Sequence, residues 1–326
     1  MKILTKQELK NINLREVSIF LVFILIFIVF TILTPHFIKI DNLLNIIRQI
    51  SLNGIMAMGM TLVIVVGEID LSVGAIYGLT GIITGMLITA GWPIWLAVLV
   101  GLVSGAVVGA FNGLLVSYIK IPSFIATLGM MNVGKGIALL ISSGLPVVVS
   151  SRTVDNPNLD SFLYIGQGKI WGYIPVMSVV LLIIVIISFI LYNKSLLGFH
   201  LKAVGGNINT AKASGINASA VKLFAFAYTG LVCAIAGILN LAFITNVRAD
   251  SGTGLELTVI SSVIIGGTSL DGGKGTIIGT LIGILIIGIL NNGLLLVGIS
   301  PFWKVLVIGM VIIGAVAIDT ILKRRK

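Results

Sequence analysis

The sequence predicts an all-α, polytopic membrane protein of about ten transmembrane helices, and three observations carry that expectation. Of 326 residues, 57% come from the set AVILMFWYC and 10% are charged, with a mean hydropathy of +1.17; a soluble domain stays near one half apolar even with glycine counted. The apolar residues lie in continuous runs, and helix needs about 20 of them to cross the hydrocarbon layer, so the total supplies roughly nine or ten crossings. Such continuity excludes a β-barrel, whose strands alternate. The bases, finally, are scattered between the runs. The net charge of +10 therefore reads as topogenic and not as a face for nucleic acid.

The first run, Val17–Leu33, follows a basic stretch and is succeeded by Thr34-Pro35-His36-Phe37 without a small-residue cleavage site. It reads as a retained span. Ile40–Ser51 carries apolar residues at 40, 43, 44, 47 and 50, with Asp41, Asn45, Arg48 and Gln49 elsewhere, and is expected to be an interfacial helix leading into a second, short span, Gly54–Val66. GEIDLSVG at 67–74 then interrupts the apolar sequence. Val73–Ala90 and Ile94–Ile119 form the third and fourth spans around the turn Gly91-Trp92-Pro93, and Lys120-Ile121-Pro122 leads to a fifth, Ser123–Ser142. A long polar interval, 144–172, precedes the sixth, Tyr173–Tyr192. Beyond the polar stretch Asn193–Asn217 come a seventh, Ala218–Thr245, an eighth, Leu255–Gly266, a ninth, Thr276–Val297, and a tenth that ends at the basic tail. The whole chain, 1–326, reads as a single transmembrane domain with halves at roughly 17–142 and 173–321.

Ten spans with the N-terminus inside put 14 of the 21 basic residues in inner segments, which predicts both termini in the cytoplasm. The halves repeat weakly. Positions 180 apart pair Asp70 with Asp250 (250 − 70), Gly74 with Gly254, Asn112-Gly113-Leu114-Leu115 with Asn292-Gly293-Leu294-Leu295, and Gly129-Met130 with Gly309-Met310, while Pro122 and Pro301 miss by one. An offset of five spans makes the repeat inverted, an architecture that can expose a central site to either side in turn.

Gly101, Gly105, Gly109 and Gly113 recur every fourth residue and form one helical stripe, which predicts close packing, within the chain or between subunits. Carboxylates in a bilayer are costly. Glu68, Asp70 and Asp271 are accordingly read as loop-end residues that cap helices and meet solvent, and Glu256 as an N-terminal charge favoured by a helix dipole; the same four acids would serve a proton-coupled transporter as the alternative. Asn112, Asn291 and Asn292 lie within spans, where an amide bonds a neighbouring helix or faces a polar path. Asp70, Ser72, Asn112, Glu256, Asn291 and Asn292 are the candidates for such a path. GGTSLDGGKGT at 266–276 resembles a phosphate-binding loop but fails the G-x-x-x-x-G-K-[ST] pattern: Thr268 stands five residues before Gly273, and Gly275 follows Lys274. No ATP site is expected in the chain. No nucleophile, base and orienting group assemble an enzyme's active site. His36, His200 and the single Cys233 have no ligand-spaced companions, so neither metal, cofactor nor disulfide is expected.

Asn193–Asn217 has Lys194, Lys202 and Lys212 and no acid. Leu196-Leu197-Gly198 leaves the sixth span, Gly205-Gly206-Asn207 is expected to turn the chain, and Asn207 to cap a short helix from Ile208 to Ser214 that Gly215 ends. A compact capped helix between glycines suits docking to a soluble partner. GEIDLSVG, KAVGGNINTAKASGI at 202–216, GTGLEL at 252–257, GGTSLDGGKGTIIGTLIG at 266–283 and LLNIIRQISLNGIMAMGMTLVI together resemble the membrane permeases of ribose-type ABC sugar importers, among the binding-protein-dependent permeases for monosaccharides and branched-chain amino acids. The likeness runs from about Ile38 to Asp319. Two departures are visible: Glu68 stands where glycine is common, and ITNVRADSGTG replaces a Ser-Ser-Ala-Gln-Pro-type approach. The resemblance implies a multi-pass inner-membrane permease that works as a dimer and moves a monosaccharide inward. It also implies a cytoplasmic ATPase subunit, an extracytoplasmic sugar-binding protein, and a docking loop formed by Gly205, Gly206, Asn207, Ala211, Ser214 and Gly215.

Overall fold

A computed structural model describes residues 14–299 together with residues 303, 306, 309, 310 and 314; most of the expected tenth span and the whole basic tail fall outside them. The chain is mostly helical. In order come α1 (Leu14–Leu33), α2 (Ile40–Val65), α3 (Val73–Thr89), α4 (Ile94–Ser117) and α5 (Ser123–Ser142). The segment after α5 holds the two-residue strand β1 (Val147–Val148), helix α6 (Leu159–Gln167), and strands β2 (Lys169–Ile170) and β3 (Ile174–Pro175). Then follow α7 (Val176–Asn193), α8 (Leu196–Gly206), α9 (Ile208–Ala213), α10 (Ala218–Ile244), β4 (Asn246–Val247), α11 (Leu255–Ile265) and α12 (Ile277–Leu296). Among the described residues, α2, α4, α5, α7, α10 and α12 are long and apolar enough to cross a membrane, while α3 and α11 are shorter apolar helices.

Helices α2 and α10 form the core. The most apolar stretch of each is 72% buried, against 28% for α4 and α7 and 22% for α5, so the latter three present apolar flanks outward. What lets α10 sit among so many neighbours is small residues at the crossings, as packing in lipid demands. The glycine stripe of α4 lies directly on it: a Cβ at Gly105 would fall 2.6 Å from the Ala234 Cβ and 2.7 Å from the Gly230 carbonyl oxygen, and one at Gly113 would fall 2.7 Å from the Leu223 Cα. The expected tight packing is thus within the chain. Gly109→Val, whose side chain would meet the Gly230 backbone at 2.9 Å, is expected to destabilise the bundle by about 1–3 kcal/mol through overpacking, read as a lowered melting temperature in detergent.

The expected break between an interfacial helix and a second span does not occur. Residues 40–65 form one 26-residue helix. Ser51 stays in the helical ladder and returns its hydroxyl to the Ile47 carbonyl at 2.7 Å, and Gly54 lies within the same helix, where a Cβ would meet Leu181 Cδ1 at 2.8 Å. Ile46 and Ile50 continue the buried face that runs on through Met56–Val65. The polar residues of the first half occupy the other side.

The long polar interval folds back on the bundle. Its β1 pairs antiparallel with β4, Val147 opposite Val247, and Gln167 of α6 donates to the carbonyls of Ala242 and Phe243 at 3.2 and 3.1 Å. Two irregular segments interrupt the apolar helices. Residues 66–72 separate α2 from α3, and residues 245–254 separate α10 from α11. The second meets the first turn of α3, just past the first: a Cβ on Gly252 would lie 2.9 Å from the Gly74 Cα, and one on Gly74 would lie 2.8 Å from a carboxylate oxygen of Glu256 in α11. Two Gly-interrupted segments that face each other inside a helical bundle are a recurrent transporter feature.

Candidate functional site

The polar stretch 193–217 folds as a capped projection on a buried root. Ser195 caps α8, accepting from the Gly198 N–H at 3.3 Å. Asn207 is the N-cap of α9, as its position predicted: its Oδ1 accepts from the Asn209 and Thr210 N–H groups at 3.0 Å each. Gly215, at φ +81°, ends α9 while the Ile216 N–H reaches back to the Ala211 carbonyl at 3.0 Å. Asn217 then caps α10 through the Ala220 N–H. Gly205 and Gly206 differ from expectation, for they form the last turn of α8 and not a loop. Asn207, Thr210, Lys212, Ser214 and Gly215 are exposed, whereas Ala211 is buried.

The root of the projection explains the glycine at 205. A Cβ there would run into the Val65 carbonyl and sit 2.6 Å from the Gly273 nitrogen. Gly273, held at φ +70°, donates its N–H to that same Val65 carbonyl at 2.8 Å. The end of α2, the end of α8 and the glycine-rich loop 266–276 therefore touch backbone to backbone. The loop that resembles a phosphate cradle is a packing element here. Tyr192, at the end of α7, donates its hydroxyl to the Gly275 carbonyl at 2.8 Å, and the Lys202 ammonium lies 4.2 Å from the centre of the Tyr192 ring.

Beside this junction the 66–72 break is braced from three sides. Asp70 is fully buried, contrary to the solvated loop end expected. Its Oδ1 accepts from the Ser72 N–H at 2.8 Å and the Ser72 hydroxyl at 2.6 Å, while Asn112 of α4 donates its amide to the same hydroxyl oxygen at 2.8 Å. The break's own N–H groups go to α5, Leu71 to the Thr127 hydroxyl at 3.0 Å and Ile69 to the Ser123 hydroxyl at 3.3 Å. Such cross-bonding is required where irregular backbone lies within a membrane bundle. Glu68 is likewise not free in solvent: it forms an ion pair with Lys222 of α10. Glu256 accepts from the Gly254 N–H at 3.1 Å, in the first turn of α11 as predicted. Asn292 exchanges amide hydrogen bonds with Asn42 of α2, at 2.9 and 3.0 Å, and so joins α2 to α12.

The polar side of α2 faces an open cavity of about 350 Å³, lined also by Tyr77 of α3, by Asn240 and Phe243 of α10, and by Ser251 of the second break. Asn45, Arg48, Gln49 and Asn53 line it. The spacing i, i+3, i+4, i+8 puts all four on one face. Gln49 and Asn53 are shared with a smaller cavity of about 140 Å³ that Asn291 of α12 borders. Of the six candidate path residues, Asn291 borders this cavity, and Asp70, Ser72, Asn112, Glu256 and Asn292 line neither. The residues that do line the larger one were legible only as the polar side of an expected interfacial helix. Amides that both donate and accept, one guanidinium and two aromatic faces suit a small neutral molecule rich in hydroxyls.

A multi-pass helical bundle with facing helix breaks, a cavity with one amide-lined side and a capped polar projection defines a membrane transport protein. Residues 42–316 match the family model of the branched-chain amino acid transport system permease component, and the chain belongs to that family. It is 37% identical to the ribose import permease protein RbsC of Haemophilus influenzae, over 98% of this chain and 99% of the relative. It is 39% identical to the protein of the same name in Escherichia coli strain K12, over 94% of each chain, and 32% identical to the xylose transport system permease protein XylH of that strain, over 97% of this chain and 94% of the relative. No solved structure matches the chain.

Proposed function

We propose that the chain is the transmembrane permease subunit of an ATP-binding-cassette importer and carries a monosaccharide, ribose or a related sugar, inward. The observation that carries this reading is likeness over nearly the full length of both chains to permeases named for ribose and xylose. In it, the permease has ten spans with both termini cytoplasmic, its halves at 17–142 and 173–321 form an inverted repeat, and two copies pair in the membrane. The cavity beside the polar face of α2 is a section of the sugar's path. An extracytoplasmic sugar-binding protein delivers the solute, and a separate cytoplasmic ATPase subunit supplies the work; the permease hydrolyses nothing itself. Gly205, Gly206, Asn207, Ala211, Ser214 and Gly215 belong to the docking element, with exposed Asn207, Ser214 and Gly215 meeting the ATPase and buried Ala211 holding the knuckle to its root. The asymmetry of basic residues supports this orientation. Nucleotide binding draws the ATPase subunits together, the docked knuckles follow, and the bundle changes state only as far as the partner's affinity differs between the two states.

A single cysteine tests the placement of the knuckle. With Cys233 buried and therefore silent, Ser214→Cys in intact cells is expected to resist a membrane-impermeant maleimide, to react with it in inside-out vesicles, and to cross-link to the ATPase subunit through a short bifunctional reagent. Labelling from outside the cell would contradict the reading.

A further inference from the structure

Among the described residues, the arginine of the larger cavity has no counter-charge. Arg48 lies on α2 among Asn45, Gln49 and Asn53, with Asn240 across the cavity, and its guanidinium carbon sits 5.4 Å from the centre of the Phe243 ring. Its Nε is buried and has no hydrogen-bond partner, and no carboxylate lies within ion-pair distance of it among the described residues. An arginine within a membrane bundle is held there by partners or by function, and a buried donor left unpaired is costly. We propose that this cavity is a substrate site of the permease itself, in which Arg48 donates to the hydroxyls of a neutral monosaccharide whose apolar ring face lies toward Phe243. The proposal rests on the sugar-import reading and deepens it: selection among sugars occurs in the membrane subunit as well as wherever the sugar is first captured.

The lining decides between a neutral sugar and a sugar acid. Four amides in the Arg48 cavity, with Asn291 in the adjoining one, offer both donors and acceptors and so match hydroxyl groups, which do the same. A site for a carboxylate would gather donors only, commonly a second cation or a helix N-terminus. The cavity volume of about 350 Å³ is at the small end of ligand pockets, which suits one sugar ring and not two.

The test uses the complete transporter, permease with its ATPase and binding protein, in proteoliposomes, and a cysteine reporter, Leu52→Cys, in the cavity wall. D-Ribose or D-xylose is expected to slow maleimide labelling of Leu52→Cys several-fold, and Arg48→Met to abolish that protection. Arg48→Met is further expected to raise the KM for uptake about tenfold, the cost of one charged hydrogen bond, and Arg48→Lys to rescue it in part. Asn53→Leu, which keeps the cation, should weaken protection if Arg48→Met does not fold. Uptake that proceeds while neither sugar protects the reporter overturns the site and leaves the import reading standing, as does stronger protection by D-gluconate than by the neutral sugars. Failure of the complete transporter to move any sugar overturns the import reading and this proposal with it.

Discussion

Gly205→Val is expected to abolish ATP-driven uptake while leaving the permease inserted in the membrane. The residue closes α8 where its backbone lies against the end of α2 and the 266–276 loop, and a side chain there has nowhere to go. Its Cβ would overlap the Val65 carbonyl and lie 2.6 Å from the Gly273 nitrogen, which must remain close to that carbonyl to keep its 2.8 Å hydrogen bond. Both obstacles are backbone and cannot rotate aside. The cheapest relief is to lift α8 from the bundle, which separates the knuckle from α2, the helix it moves in the proposed mechanism. Gly205→Ala should destabilise by about 1–3 kcal/mol as an overpacked contact, and the valine by more. Gly206 supplies the comparison, for a Cβ there meets nothing within 4 Å. The melting temperature of Gly206→Ala in detergent should match the parent, while that of Gly205→Ala falls. Equal melting temperatures for the two alanine variants would show that close approach is not the reason for glycine at 205.

Asp70→Ala should unsettle the first helix break, and Asp70→Asn should not. The alanine removes the acceptor of the Ser72 N–H and hydroxyl, at a fully buried position. Each buried polar group left without a partner costs about 1–3 kcal/mol, so a loss of roughly 2–4 kcal/mol and at least a tenfold drop in uptake are expected. Asparagine keeps an oxygen at the Oδ1 position and offers an N–H where Asp70 Oδ2 has no partner, near Asn112, whose Oδ1 also has none. Uptake by Asp70→Asn should stay within about twofold of the parent, since both Ser72 donors keep a buried acceptor. A proton-coupled carrier that used this acid would instead lose transport in the asparagine variant. That contrast separates bracing from proton traffic.

Much of the helical architecture was legible because lipid leaves few options: an apolar run of the right length becomes helix, and α5 coincides with its expected span, Ser123–Ser142. The glycine stripe of α4 was legible as a packing surface for the same reason. What the sequence could not distinguish is one polar helix face from another. Asn45, Arg48, Gln49 and Asn53 would look the same beside headgroups as beside an internal cavity, and the decision belongs to Asn240 and Ser251, some two hundred residues away. Asp70 was misread for a related reason. Its burial comes from α4 and α5 folding back over the break, and nothing in GEIDLSVG announces that Ser123 and Thr127 will hold its backbone. In the projection, the Asn207 cap followed from local chemistry. The helical ending at Gly205-Gly206 did not, because a glycine needed for close approach and a glycine needed for a turn are spelled alike.

The most direct measurement is sugar uptake into proteoliposomes that carry the permease alone or with its ATPase subunit and binding protein. Accumulation of D-ribose or D-xylose only when both partners and ATP are present, with no ATP hydrolysis by the isolated permease, is the result this account predicts. Uptake by the permease alone down a pH gradient, indifferent to ATP and to the ATPase, would contradict it.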